Sequence, residues 1–399
     1  MVSCARRILH WGPLLALSVI AIISICGLIC VVQWWPISTL GGALNMALYL
    51  FWDVTTLYNF FNAVFVGPGH VPLDWIPPKK SDCEKLQFCQ FCKGYKAPRS
   101  HHCRKCQRCV LKMDHHCPWI NNCVGHLNHG YFTYFLFFAP CGCVHALLVL
   151  IPSMYRAINR HYYLYYGTGT EPLVHLGIYQ FVACMFACGL AIGVFIAVGA
   201  LFVIQIRSII KNETGIEGWI REKAKWRERE EDEEEEFIFP YDLGRRKNLD
   251  MVFGYQTSAS LDGLWWPIVD GCDQFTLTVE QIKQKREKKE RSVVYDIRGN
   301  YSGAICPLTN GICVCCCIPY TDEPRIPVKL GDKVLVSRWR KHWLYGDKVL
   351  QGDQPDLRVR GWFPRKCAVQ KIDDGPRLNR KVEANGVQES ANSSSKKED

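Results

Sequence analysis

The chain has 399 residues, a formal net charge of +10 and 22 cysteines. That length allows two or three folded units. Its average of 48 % hydrophobic and 22 % charged residues hides very apolar and very charged stretches that cancel, so the average does not describe a soluble chain. The basic excess suits an anionic membrane surface or a phosphorylated cosubstrate.

Two apolar stretches come first, at residues 11–35 and 43–66. Each is long enough to cross a bilayer, which takes about 20 residues. The first exceeds the apolar part of a signal peptide, and no small-residue cleavage site follows it. Asp53, inside the second, is an ionisable residue at membrane depth, suited to a function or to pairing with a neighbouring helix. After a polar region come two more stretches, 131–151 and 178–206. Trp34, Trp35, Tyr131 and Tyr179 sit near the ends, where aromatic belts form. Gly189 and Gly193 give the fourth stretch a helix-packing pattern of small residues. Arg6 and Arg7 precede the first stretch, ten Lys or Arg lie between Lys79 and Lys112, and Arg207 and Lys211 follow the fourth. The loop after the first stretch has none, and the loop after the third has Arg156 and Arg160. This bias predicts cytosolic termini and a cytosolic segment over 67–130. In that reducing compartment cysteines are metal ligands or reactive thiols rather than disulfides.

Within that segment a pattern repeats. Cys89, Cys92, His102 and Cys109 form one set; adding fourteen to each number gives Cys103, Cys106, His116 and Cys123, with the same residue type at every position. Each set supplies three thiolates and one imidazole, a complete tetrahedral shell for zinc. Two structural zinc ions are therefore expected. Because the sets interleave, they staple one small subdomain with little core of its own.

The repeat also shows what is left over. Cys117 is fourteen past Cys103, where a third Cys-x-x-Cys pair would begin, but its partner position holds Ile120. His115 is free as well, since His116 fills the shell. Asp114, His115 and Cys117 thus have no structural task and suit nucleophilic catalysis. A thiol with pKa near 8.5 needs a base to become a thiolate. A neighbouring His takes the proton, and an Asp orients and stabilises that imidazole. The nucleophile lies shortly before the third span, at the membrane face. A thiolate there can attack an acyl thioester whose tail lies among the helices, with acyl-CoA as donor and its phosphates attracted by the surrounding Lys and Arg. A cysteine of a target protein then takes the acyl group in a near-isoenergetic exchange. The competing reading is a non-catalytic, zinc-stapled membrane adaptor. Nucleic acid is not an expected partner, because the interleaved repeat lacks the recognition-helix spacing of zinc fingers.

These residues closely resemble the DHHC family of palmitoyltransferases. The match runs through Cys89-x-x-Cys92, Lys96-x-Pro98-Arg99, His101-His102-Cys103-x-x-Cys106, Asp114-His115-His116-Cys117-Pro118-Trp119 and Asn121-Asn122-Cys123-x-Gly125-x-x-Asn128. The resemblance implies an acyl cavity between the spans for a palmitoyl-length chain, two-step ping-pong transfer through Cys117, and Trp119 lining the acyl site. Two positions depart from the family. Gly67-Pro68-Gly69 replaces its Asp-Pro-Gly, and Thr214-Gly215-Ile216-Glu217 replaces its Thr-Thr-x-Glu, so the second threonine hydroxyl is missing. Asn248 resembles the family's packing asparagine in the cytosolic tail.

After the fourth span comes an acidic run, Glu230 to Glu236, then a basic run, Lys283 to Arg291, both read as solvated helix faces or linker. Leu330-Gly331-Asp332-x-Val334 and Gly361-Trp362-Phe363-Pro364 resemble an SH3 domain, and with the zinc motifs they resemble the family's SH3-containing, endoplasmic-reticulum member. An adaptor partner for that domain is implied, although the aromatic motifs used for Pro-rich ligands are reduced. Cys315, Cys316 and Cys317 are candidates for S-acylation. Lys396 and Lys397 resemble a dilysine retrieval signal for the endoplasmic reticulum. The expected fold is an α-helical multi-pass membrane protein with four spans, a cytosolic two-zinc cysteine-rich domain and a C-terminal SH3-like β-barrel. The expected divisions are 1–66 (N-terminus and spans one and two), 67–130 (zinc-binding domain), 131–210 (spans three and four), 211–308 (tail and linker), 309–371 (SH3-like domain) and 372–399 (disordered tail).

Overall fold

The computed structural model describes residues 4–226, 237–254, 262–321, 323–349 and 359–370. Both the acidic run and the dilysine-like end lie outside these residues. The chain divides into two compact units, Met1–Glu287 and Lys288–Asp399.

The first unit is built on four long helices, Trp11–Trp34, Leu40–Phe65, His129–Ile158 and Ile178–Ile210. Local chemistry sets several of their ends. His10 Nδ1 accepts from the Gly12 N–H, and Thr39 Oγ1 caps the second helix by accepting from the Gly42 N–H at 3.1 Å; such caps satisfy donors that no helical carbonyl can reach. Pro36 follows the first helix, which it cannot continue. The third helix packs against each of the other three. It runs seven residues past the apolar stretch, with Arg156 in its last turn. Among the described residues, three of the four helices are long and apolar enough to cross a membrane: the first, third and fourth. The second is equally long, at 26 residues, but Asn45, Asp53, Asn59 and Asn62 dilute it. Asp53 accepts from Ser24 Oγ of the first helix at 2.8 Å, which is the pairing role. Gly189 and Gly193 do not pack as expected, since a Cβ at either would meet nothing within 4 Å.

Between the second and third helices lie three short antiparallel hairpins: β1 (Phe88–Cys89) with β2 (Gly94–Tyr95), β3 (His101–Cys103) with β4 (Arg108–Val110), and β5 (His115–Cys117) with β6 (Asn122–Val124). Each hairpin turns through one non-glycine residue with positive φ: Lys93 at 52°, Gln107 at 55° and Asn121 at 45°. That conformation is uncommon for non-glycine residues, and here it recurs every fourteen residues. Asparagines dock the hairpins onto the end of the second helix. Asn122 Nδ2 donates to the Val64 carbonyl and Asn128 Nδ2 to that of Ala63, both at 3.0 Å. The first helix comes so close that a Cβ on Gly12 would lie 2.0 Å from the Pro118 carbonyl oxygen. In the tail, Asn248 is fully buried and donates to the Ile210 carbonyl at 2.7 Å, tying the segment back to the end of the fourth helix.

The second unit is a five-stranded antiparallel sheet of β7 (Val293–Ile297), β8 (Lys333–Trp339), β9 (Trp343–Val349), β10 (Val359–Pro364) and β11 (Ala368–Gln370), in the order β10-β9-β8-β7-β11. Its core holds Ile297, Val334, Val336, Trp343, Leu344 and Phe363. The compact unit thus starts earlier than residue 309. β7, assigned by sequence to the linker, pairs Val293 with Val336 and Tyr295 with Val334, because its β-branched run needs this partner to cover its apolar face. Cys315 and Cys316 lie on a short helix, Ile312–Cys316; Cys315 is half-buried, while Cys316 and Cys317 are exposed.

Candidate active site and metal centres

The hairpin registers bring the ligand sets together. His102 is opposite Cys109 on β3–β4, and His116 is opposite Cys123 on β5–β6. In the first set, His102 Nδ1 lies 3.4, 3.5 and 3.9 Å from the sulfurs of Cys89, Cys92 and Cys109. In the second, His116 Nδ1 lies 3.7, 3.4 and 3.6 Å from those of Cys103, Cys106 and Cys123. A zinc with bonds of about 2.3 Å to sulfur and 2.05 Å to nitrogen at tetrahedral angles needs S···N separations of about 3.5 Å. The donors fit that ion in chemistry and spacing. All four ligand atoms of each set lie within 4.8 Å of one another, and these are the two such clusters among the described residues. Cys117 is in neither.

Cys117 ends β5. It is buried beside Phe60, Ile120, Val124 and Phe132, where the second and third helices meet the hairpin. His115, two residues back, is on the same side of the strand. Its ring stands edge-on to Phe132 at 5.5 Å, and its side chain is 43 % exposed, which leaves it open to a reactant. Its Nδ1–H donates to Asp114 Oδ2 at 2.8 Å, so Nε2 is the ring atom left to serve Cys117. Burial alone would lower the His115 pKa, but hydrogen bonds to Asp114 and Cys117 raise it to about 9. Burial opposes charge on Asp114 too, yet the His115 hydrogen bond and the Gly215 N–H hold its carboxyl below the usual range.

Asp114 has partners from distant parts of the chain. The Gly215 N–H donates to Oδ1 at 2.8 Å, and Gln205 Nε2, near the end of the fourth helix, donates to Oδ2 at 3.4 Å. The missing threonine therefore does not leave this carboxylate without a partner, because a backbone donor of residue 215 reaches it. Glu217 anchors the same turn. It closes a reciprocal cap with Thr214, through 2.9 and 3.3 Å bonds, and its two oxygens take Arg99 Nε and Nη2 at 2.7 Å each. Both side chains are wholly buried. Arg99 Nη2 also donates to the Asn212 carbonyl at 2.6 Å, and its guanidinium lies 4.3 Å from the Tyr241 ring centre. Such a pair holds only because nearly every donor is satisfied. It locks the hairpin region to the segment after the fourth helix. Arg99 was visible in sequence only as a motif residue. Gln205 carried one signal, a polar residue in the last turns of an apolar helix, and the Gly215 amide carried none. Trp119 is 43 % exposed, its ring edge-on to Trp11 at 5.6 Å.

A family model for the DHHC palmitoyltransferases matches residues 82–222. "Palmitoyltransferase ZDHHC6" of Mus musculus is 49 % identical over 386 residues, covering 93 % of both chains. The protein of the same name in Danio rerio is 48 % identical, covering 92 % of this chain and 93 % of its own. "Probable protein S-acyltransferase 16" of Arabidopsis thaliana is 33 % identical over 235 residues, 56 % of this chain and 77 % of its own. With half of all positions shared across nearly the whole length, the chain belongs to the DHHC palmitoyltransferase family.

Proposed function

We propose that this palmitoyltransferase carries its acyl group on Cys117. His115 Nε2 takes the Cys117 proton, and the thiolate attacks the thioester carbon of acyl-CoA. The tetrahedral intermediate collapses, breaking the carbon–sulfur bond to CoA, and the leaving thiolate regains the proton from His115. In the second step His115 takes a proton from a cysteine of a target protein. That thiolate attacks the Cys117 thioester, and Cys117 leaves and is reprotonated. Asp114 holds Nδ1–H through both steps and stabilises the imidazolium. Zinc, held by Cys89, Cys92, His102 and Cys109 and by Cys103, Cys106, His116 and Cys123, supplies rigidity rather than a reacting bond. Trp119 lines the acyl site where the thioester forms.

The reading extends to the whole chain. The second helix is the fourth span, with Asn45 and Asp53 paired to His145 and Ser24 of neighbouring helices. Both termini face the cytosol of an endoplasmic-reticulum membrane, and substrates are membrane-associated proteins with cysteines at that face. The sheet from Val293 to Gln370 is an SH3-like barrel that takes an adaptor partner. The exposure of Cys316 and Cys317 supports acylation within the group of Cys315, Cys316 and Cys317. The observation that carries the proposal is the Asp114–His115 hydrogen bond, with Cys117 two residues on along the same side of the strand, beside a ligand set already complete. Labelled palmitoyl-CoA tests it: hydroxylamine-sensitive label is expected on the wild type and none on Cys117→Ser. Equal label on both would remove Cys117 from the reaction.

A further inference from the structure

Four cysteines outside the zinc region meet inside the bundle. Cys26 and Cys30 are one turn apart on the first helix, and Cys184 and Cys188 are one turn apart on the fourth. All four are buried in the same core, where Ala187 and Ala191 keep the fourth helix narrow. The sulfurs of Cys30 and Cys184 lie 4.0 Å apart, and these residues are 0 % and 1 % exposed. The catalytic reading uses none of them. A metal does not explain them, because the clusters compact enough for one among the described residues are the two zinc-type sets. A metal thiolate would also place charge in an apolar core, whereas a disulfide is neutral.

We propose that Cys30 and Cys184 form a reversible disulfide that ties the first membrane helix to the fourth. Cys30 is about 6 Å from the end of its helix at Trp34, and Cys184 about 9 Å from the start of its own at Ile178. A hydrogen bond joins the same ends: the His175 N–H donates to Gln33 Oε1 at 2.7 Å. Cys30 lies about 27 Å along the first helix from Gly12, which abuts Pro118. The pair therefore sits at the membrane face away from Cys117. Under the orientation proposed above, that face borders an oxidising lumen. The reaction is thiol–disulfide exchange with a small external disulfide. One cysteine attacks it and expels a thiol; the second attacks the mixed disulfide and expels another. The two cysteines lose two electrons and two protons, and the oxidant becomes two thiols. No acyl chemistry enters, so this proposal and the Cys117 proposal fail separately.

The test uses purified full-length protein, dipyridyl disulfide as oxidant, alkylation of remaining thiols, and peptic mapping in acid to prevent exchange. A peptide pair joined through Cys30 and Cys184 is expected, released by reductant, absent from Cys30→Ala and retained in Cys26→Ala. Oxidation should also raise the unfolding midpoint of the wild type while leaving Cys30→Ala unmoved. Recovery of Cys30 and Cys184 on separate peptides from the oxidised wild type would overturn the proposal, as would a joined pair in which Cys26 replaces Cys30.

Discussion

The second and third hairpins share one plan and reach different ends. Ser100-His101-His102-Cys103 and Asp114-His115-His116-Cys117 occupy matching places fourteen residues apart, on strands with the same register to their partners. Even the turns match, with Gln107 and Asn121 both left-handed. In the second hairpin, Cys103 belongs with Cys106 to one of the metal-type clusters, and His101 is partly buried. Ser100 Oγ and His101 Nε2 have no hydrogen-bond partner among the described residues. In the third, Ile120 stands where the second knuckle cysteine would be. The serine is an aspartate with three donors, and the histidine is half-exposed. The same backbone thus yields a metal knuckle or a candidate nucleophile. The choice rests on one missing ligand and one added carboxylate.

The largest expected effect separates the two equivalent cysteines. Cys103→Ala should remove one zinc and unfold the hairpins, since a structural zinc contributes on the order of 10 kcal/mol to folding. Cys117→Ala should keep proteolytic resistance and lose all acyl label. If the two variants unfold alike, the comparison fails. Next come the equivalent histidines. His115→Ala should slow autoacylation by about 10²–10⁴-fold, the usual worth of a positioned base, while His101→Ala should change it by only a few-fold, measured as initial rates of label uptake. A smaller effect is expected where the hairpins are locked to the tail. Arg99→Met leaves Glu217 charged and buried, and should cost about 3–5 kcal/mol, read as a drop in the thermal midpoint of the membrane unit. The smallest concerns the departure from the family pattern. A Cβ on Gly215 would sit 3.8 Å from Asp114 Oδ1, an ordinary contact, and the donor to Asp114 is the backbone N–H. Gly215→Ala should leave the acylation rate within about twofold and stability within about 1 kcal/mol. A large loss would show that the loop needs glycine for another reason.

The comparison also explains what was legible in the sequence. Metal valence and a fourteen-residue period are short-range facts, so the eight candidate ligands and the thiol left over could be read by counting, and the structure brings both sets together. Asp114 and His115 were legible because they adjoin Cys117 in the chain. Gln205 and the Gly215 amide were not, since they reach Asp114 from 91 and 101 residues away, and a backbone donor has no side chain to mark it. β7 was missed for a related reason. Val293 and Val294 look like the end of a charged linker until Val336 and Leu335 pair with them. The first, third and fourth membrane helices were plain from apolar length. The polar residues of the second blur that signal, and they take on meaning only beside partners such as Ser24.

Counting zinc by native mass spectrometry, on the wild type and on Cys117→Ala, tests the division of labour most directly. Two zinc ions in both proteins are predicted, because Cys117 lies outside both ligand sets. One zinc in Cys117→Ala against two in the wild type would make Cys117 a ligand and leave the enzyme without its proposed nucleophile.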